Sequence, residues 1–175
     1  FNSIGIVSSG GAGKVTAEWM MNGEMQEDIF SLDISRFEKF HSELDFITER
    51  VTETLGNLYA MHWPFKQHTT SRNQKLMPYH DHLIKKGACF GQAAAYERPM
   101  WYAINGNEPK YKYSYGHQNW YESAKYETLN ARKNVALFEL SPFAKFELAG
   151  PNSHSSLQYL CANDIKNKVG AITYT

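Results

Sequence analysis

Apolar and polar positions change period several times along this chain, and each change marks a predicted element. Ile4 and Ile6 make a short apolar strand ahead of Gly10-Gly11-Ala12-Gly13-Lys14, and Ala17-Glu18-Trp19-Met20-Met21 continues to Gly23. This pattern predicts strand, glycine-rich turn and helix. Beyond an acidic stretch at 24–33, Leu44, Ile47, Val51, Leu55 and Leu58 recur at three and four residues. Such spacing predicts an amphipathic helix whose apolar stripe faces the core, with Glu43, Glu49, Arg50 and Glu53 facing away. Ser42 and Asp45 stand as its capping box. Pro64 stops helix in the aromatic stretch that follows, Pro78 opens a short helix ending at Gly87, and residues 88–96 and 99–103 read as strands.

From residue 119 onward the order predicted is helix at 123–134, apolar run at 135–141, alternating strand at 143–148, helix after Pro151 and strand at 169–175. That is an α+β unit. Between it and the preceding strands, residues 105–118 carry Gly106, Pro109 and Gly116 and alternate Tyr111, Tyr113 and Tyr115. They read as a linker or an extended crossing segment.

Composition narrows the function classes. The chain has 175 residues, and 18 Lys plus Arg balance 18 Asp plus Glu. A neutral chain has no global field to attract nucleic acid or an anionic membrane. No apolar run approaches the roughly 18 residues needed to span a bilayer, so a soluble protein without membrane insertion is expected. Cys89 and Cys161 lie far apart with no Cys-x-x-Cys spacing, which fits free thiols in a reducing compartment. The chain opens on Phe1, in the middle of a structural unit. It reads as a piece cut from a longer protein.

Glycines in the turn after a strand let backbone N–H groups approach a ligand, and the helix start adds positive potential. The turn at 10–14 therefore suits an electron-rich cofactor edge or a phosphate, or else it only packs a helix close to a strand. Neither nucleotide motif is met: Ser8 replaces the first phosphate-loop glycine and Val15 follows Gly13-Lys14. His80-Asp81-His82, with His62, His68 and Cys89, supplies zinc-ligand types. Histidines two apart on a helix point to different faces, so no metal site is assigned. No activated nucleophile is recognisable.

Several segments resemble dimethylglycine and sarcosine dehydrogenases in collinear order. Asn2-Ser3-Ile4-Gly5-Ile6 with Gly10 to Lys14 and Ala17-Glu18-Trp19 is similar to the last strand–loop–helix of their FAD domain. Gly87-Ala88-Cys89-Phe90-Gly91 and Tyr96-Glu97-Arg98-Pro99-Met100-Trp101-Tyr102 resemble the signature of their central domain. Glu97 and Arg98 read as a surface ion pair with a structural role. Trp120, Glu127, Ala131-Arg132, Val135, Ser141, Lys145-Phe146, Gly150-Pro151, Leu160, Asn163-Asp164 and Val169-Gly170 through Tyr174 resemble the start of the folate-binding aminomethyltransferase domain. Glu139 departs from the aspartate usual there.

The resemblance implies an FAD-domain tail at 1–32, a central domain at 33–104, a linker at 105–118 and an aminomethyltransferase head at 119–175. It implies FAD contacts from Ile4, Gly5, Ile6, Gly10, Gly11, Ala12, Gly13 and Lys14, and tetrahydrofolate contacts from Ser141, Phe143 and Tyr174. The implied activity is oxidative demethylation of a small N-methylated amine, with the one-carbon unit passed to tetrahydrofolate, in a bacterial cytoplasm or mitochondrial matrix. The electron acceptor stays open. A non-catalytic alternative is the regulatory subunit of pyruvate dehydrogenase phosphatase, which resembles these enzymes over the same regions.

Overall fold

A computed structural model describes residues 5–25 and 28–175. The elements are α1 (Gly5–Asn22), three single 3-10 turns (Phe30–Leu32, Ile34–Arg36 and Lys39–Ser42), α2 (Leu44–Asn57), α3 (His80–Lys85), β1 (Ala88–Ala93), β2 (Tyr96–Tyr102), α4 (Tyr121–Lys133) and α5 (Ser153–Leu160). Helices and, among the described residues, one small antiparallel sheet make an α+β chain. It divides into two compact units, one ending at Pro142 and the other running from Phe143 to Thr175.

The structure corrects the predicted start. Gly5 to Lys14 lie inside the continuous helix α1, not on a strand and a turn; Ile4 lies outside the described residues. A lone strand leaves its backbone groups to water, whereas a helix pairs them within itself. Among the described residues the sheet is the β1–β2 hairpin alone, and no ladder stands ready for Gly5 and Ile6. α1 buries none of its residues, and Ile6 is 95% exposed. The same reason leaves the apolar run at 135–141 irregular and corrects the strands expected at 143–148 and 169–175, which find no ladder partner among the described residues.

The hairpin is the best-formed element of the first unit. Ala88 pairs with Tyr102 and Ala93 with Tyr96, and a register shift between Cys89 and Phe90 admits Pro99, which has no N–H to give. The turn falls at Ala94-Ala95, both left-handed at φ 50° and 65°, as a two-residue hairpin loop of the primed type demands. Met77, Leu83 and Ala88 form the core, with Phe90, Tyr96 and Tyr102 packed against them. Gly87 joins α3 to β1 at φ +80°, where a Cβ would meet the Ala103 carbonyl oxygen at 3.3 Å; only glycine sits there without strain.

α2 forms where its periodicity predicts, but turned over. Its apolar stripe, Leu44, Ile47, Val51, Leu55 and Leu58, is exposed, and Phe46 is buried instead. Glu49, Arg50 and Glu53, expected to face solvent, bind the 69–71 loop. The N-cap is Glu43 rather than Ser42, which ends a 3-10 turn and donates to the Lys39 carbonyl oxygen at 2.8 Å.

Candidate functional site

Polar chemistry concentrates where the 67–76 loop crosses the hairpin. Ser71 (φ 44°) and Asn73 (φ 63°) are both left-handed, a costly conformation that holds only where neighbours fix it. Arg72 lies between them. Its Nε donates to Glu97 Oε1 at 2.8 Å and its Nη2 to Glu97 Oε2, while Nη1 donates to the His68 carbonyl oxygen at 3.0 Å and Nη2 also to that of Phe90 at 3.1 Å. Glu97 is 0% exposed. It also accepts from the Asn73 N–H at 2.9 Å and from Gln92 Nε2 at 3.2 Å. Burial opposes its charge, but Arg72, Asn73 and Gln92 outweigh that cost and hold the carboxyl below its usual range. The hydrogen bond from Arg72 to Glu97 raises the guanidinium in turn.

The expected surface pair of Glu97 with Arg98 is thus corrected: Glu97 pairs with Arg72, in the interior. A carboxylate already accepting from four donors is poorly placed to move protons. Its role is structural.

A second carboxylate pins the loop from the other side. Glu53 accepts from the N–H and hydroxyl of Thr69 (2.7 and 3.0 Å) and of Thr70 (2.9 and 2.5 Å). Burial works against its charge, and these four bonds more than compensate, holding it at about 2. Glu49 accepts from the Ser71 hydroxyl at 2.8 Å, and Arg50 donates to the Thr70 carbonyl oxygen at 2.7 Å. Burial lowers His68 and His41, which favours their neutral forms. Burial likewise pushes the Cys89 thiol up to about 11, so it is no nucleophile.

In the first unit a cleft of about 790 Å³ lies between β2, α4 and residues 135–140. Its mixed polar and apolar lining includes Arg98, Glu127, Arg132 and Glu139 beside Met100 and Leu137. Glu127 anchors it, accepting from the Tyr102 N–H at 2.9 Å. Among the described residues no three His, Cys, Asp or Glu side chains converge as a metal site. No described helix is long and apolar enough to cross a membrane.

Of the residues expected around FAD, those described share one helix without forming a cradle. A Cβ added at Gly10, Gly11 or Gly13 would meet nothing within 4 Å, and past the first turn the N–H groups of α1 are committed along the helix. Lys14 pairs with Glu18 at 3.5 Å. In this conformation Gly5, Ile6, Gly10, Gly11, Ala12, Gly13 and Lys14 do not fit a flavin. The folate candidates fall in both units: Ser141 near the end of the first, Phe143 and Tyr174 in the second. All three are exposed, Tyr174 to 89%.

Sequence reasoning singled out Glu97 and missed its partners. One signal for the rest was present: carboxylates four apart on one helix face, Glu49 and Glu53, opposite the donor-rich run Thr69-Thr70-Ser71-Arg72.

Comparison with known proteins places this arrangement. Residues 22–76 match the FAD dependent oxidoreductase central domain and residues 79–175 match the GCVT N-terminal domain. The chain belongs to the dimethylglycine and sarcosine dehydrogenase-like FAD-dependent oxidoreductases. It is 42% identical over its whole length to 4-methylaminobutanoate oxidase (formaldehyde-forming) of Paenarthrobacter nicotinovorans, covering 21% of that protein. The mitochondrial pyruvate dehydrogenase phosphatase regulatory subunit of Mus musculus is 32% identical over 99% of the chain, which covers 20% of it. Human mitochondrial sarcosine dehydrogenase is 28% identical over the whole chain, which covers 22% of it. The chain therefore spans about a fifth of the length of the curated relatives it matches. In this chain the Arg72–Glu97 pair joins the two matched regions, Arg72 lying in the first and Glu97 in the second.

Proposed function

We propose that this chain forms part of a flavoprotein that oxidatively demethylates a small N-methylated amine and passes the one-carbon unit to tetrahydrofolate. The observation that carries the reading is 42% identity along the whole chain to an oxidase of an N-methylated amino acid, with the central and GCVT regions in collinear order. The substrate class this favours is an N-methylated amino acid of the 4-methylaminobutanoate, sarcosine or dimethylglycine type. In the whole protein we assign residues 1–32 to the tail of the FAD domain, 33–104 to the central domain, 105–118 to a linker and 119–175 to the head of the folate domain. Residues 4–14 would contact FAD in a conformation other than α1, and Ser141, Phe143 and Tyr174 would line the folate pocket. The buried network around Glu97 then serves as scaffold between the two chemistries. A bacterial cytoplasm or a mitochondrial matrix suits this activity.

A second reading is a regulatory protein without amine oxidation, supported by 32% identity to the phosphatase regulatory subunit, above the 28% to human sarcosine dehydrogenase. The purified whole protein separates the two. Bound flavin whose absorbance bleaches anaerobically with 4-methylaminobutanoate, sarcosine or dimethylglycine is expected, with less free formaldehyde when tetrahydrofolate is present. A yellow protein that none of these amines reduces would sink the amine reading. A colourless preparation would favour the regulator.

A further inference from the structure

The two matched regions meet between residues 76 and 79, and a boundary between domains is by default a place where few contacts cross and motion is allowed. Here the contacts across it are dense. From the side before the boundary, Arg72 reaches Glu97 and the Phe90 carbonyl oxygen, and the Asn73 N–H reaches Glu97. Gln67 Oε1 accepts from the Gln92 N–H at 2.8 Å, and Arg50 donates to Gln92 Oε1 at 3.2 Å. In the other direction the Glu97 N–H donates to the Lys75 carbonyl oxygen at 2.9 Å, and Leu76 bridges to Glu97 as a short parallel pair. Lys75 also sits over the Tyr96 ring at 4.3 Å. Gly91 closes the seam: a Cβ there would stand 2.8 Å from the Gln67 side chain and from Met100.

We infer that Glu97 welds the hairpin β1–β2 onto the 67–76 loop, so that the join between the matched regions is a rigid core element rather than a hinge. A fully buried carboxylate left without its guanidinium, or a guanidinium left without its carboxylate, is strongly unfavourable, so the halves cannot part without breaking every bond above at once. Opening at residues 73–79 is therefore coupled to loss of the hairpin itself. The hairpin belongs physically with the central region, although the GCVT match begins ahead of it. This holds whether or not the whole protein oxidises amines.

Hydrogen exchange on the unmodified whole protein tests it first. The amides of Asn73 and Glu97 are expected to exchange as slowly as those of Cys89 and Trp101, within about threefold, as members of one cooperative unit. Exchange at Asn73 and Glu97 a hundredfold or more faster than at Cys89 would overturn the weld. Protease susceptibility gives the second readout: cleavage within 73–79 should rise at least tenfold in Glu97→Ala, and less in Glu97→Gln, which keeps the shape and one of the two acceptor oxygens. Equal cleavage in all three proteins would also overturn it. If Glu97→Ala does not fold, the exchange result on the parent still decides.

Discussion

The hairpin and the chain beyond residue 134 carry the same kind of sequence signal and meet different fates. Both read as strands in the sequence, yet residues 88–102 form a bonded ladder while 143–148 and 169–175 form none. The difference lies in what each segment finds beside it. The hairpin closes on itself through a two-residue turn, packs Ala88 against Met77 and Leu83, and receives the 67–76 loop on Glu97. The later segments leave Phe146 and Val169 almost wholly exposed. Alternation specifies which face a strand buries; a strand forms only when a neighbour supplies the other half of its hydrogen bonds.

Breaking the first region's advantage should have the largest effect. Glu97→Ala removes the carboxylate and leaves the Arg72 guanidinium, 22% exposed, without its partner. The expected loss is about 3–5 kcal/mol of unfolding free energy, the range for splitting a buried ion pair, read from urea melts. A loss under about 1 kcal/mol would mean that solvent screens the pair.

Each region also holds one free cysteine, which sharpens the contrast without mutation. Cys89 is buried, and burial pushes its thiol up to about 11; Cys161 is partly exposed. A disulfide reagent near pH 8 should modify Cys161 first and Cys89 on the order of a hundredfold more slowly, reaching it only through unfolding. Equal rates would mean that the hairpin opens freely.

The carboxylate that pins the loop sets a smaller, pH-dependent effect. Glu53 is held at about 2 against an ordinary 4.5. A group lowered on folding stabilises fully above its unfolded value and loses that contribution as pH falls through 4.5 toward 2. Because solvent screens a group this close to the surface, the contribution is roughly 1 kcal/mol. Glu53→Gln should therefore cost about that much at pH 7 and almost nothing at pH 2, measured by chemical denaturation. A cost independent of pH would assign the effect to shape rather than charge.

How much of this was legible depends on whether the information was local. The helix at 44–57, the proline-started helix at 80–85 and two strands in this stretch were readable from period and punctuation, but the first strand, expected at 88–96, was drawn through the turn that makes them a hairpin. The direction α2 faces was not, because five apolar residues on one stripe outweigh three charged ones in any local count. Glu49, Arg50 and Glu53 win that face through partners some twenty residues away that no local pattern registers. Ala94-Ala95 carries none of the Asn-Gly chemistry that announces a tight hairpin turn. Glu97 was recognisable as part of a motif, while its pairing with Arg72 is a fact of tertiary structure. The flavin and folate candidates rest on resemblance, which no local pattern supplies.

The smallest effect tests the second region on its own terms. Phe146 and Val169 are 93% and 104% exposed, so replacing either removes almost no buried apolar area. At about 25 cal/mol per Å² of area withdrawn from water, a side chain that withdraws none contributes none. Phe146→Ser and Val169→Ser should each change the stability of this 175-residue chain by less than about 0.5 kcal/mol, the usual bound for surface positions. Leu83→Ala, in the hairpin's core, should cost about 2–5 kcal/mol under the same conditions. The pair of results separates two causes. If the serine variants cost as much as Leu83→Ala, residues 143–148 and 169–175 have found strand neighbours, and their alternation describes a buried face. If they stay silent here but become costly in the whole protein, the missing half of their ladder comes from the rest of that protein, as a folate-domain sheet would require.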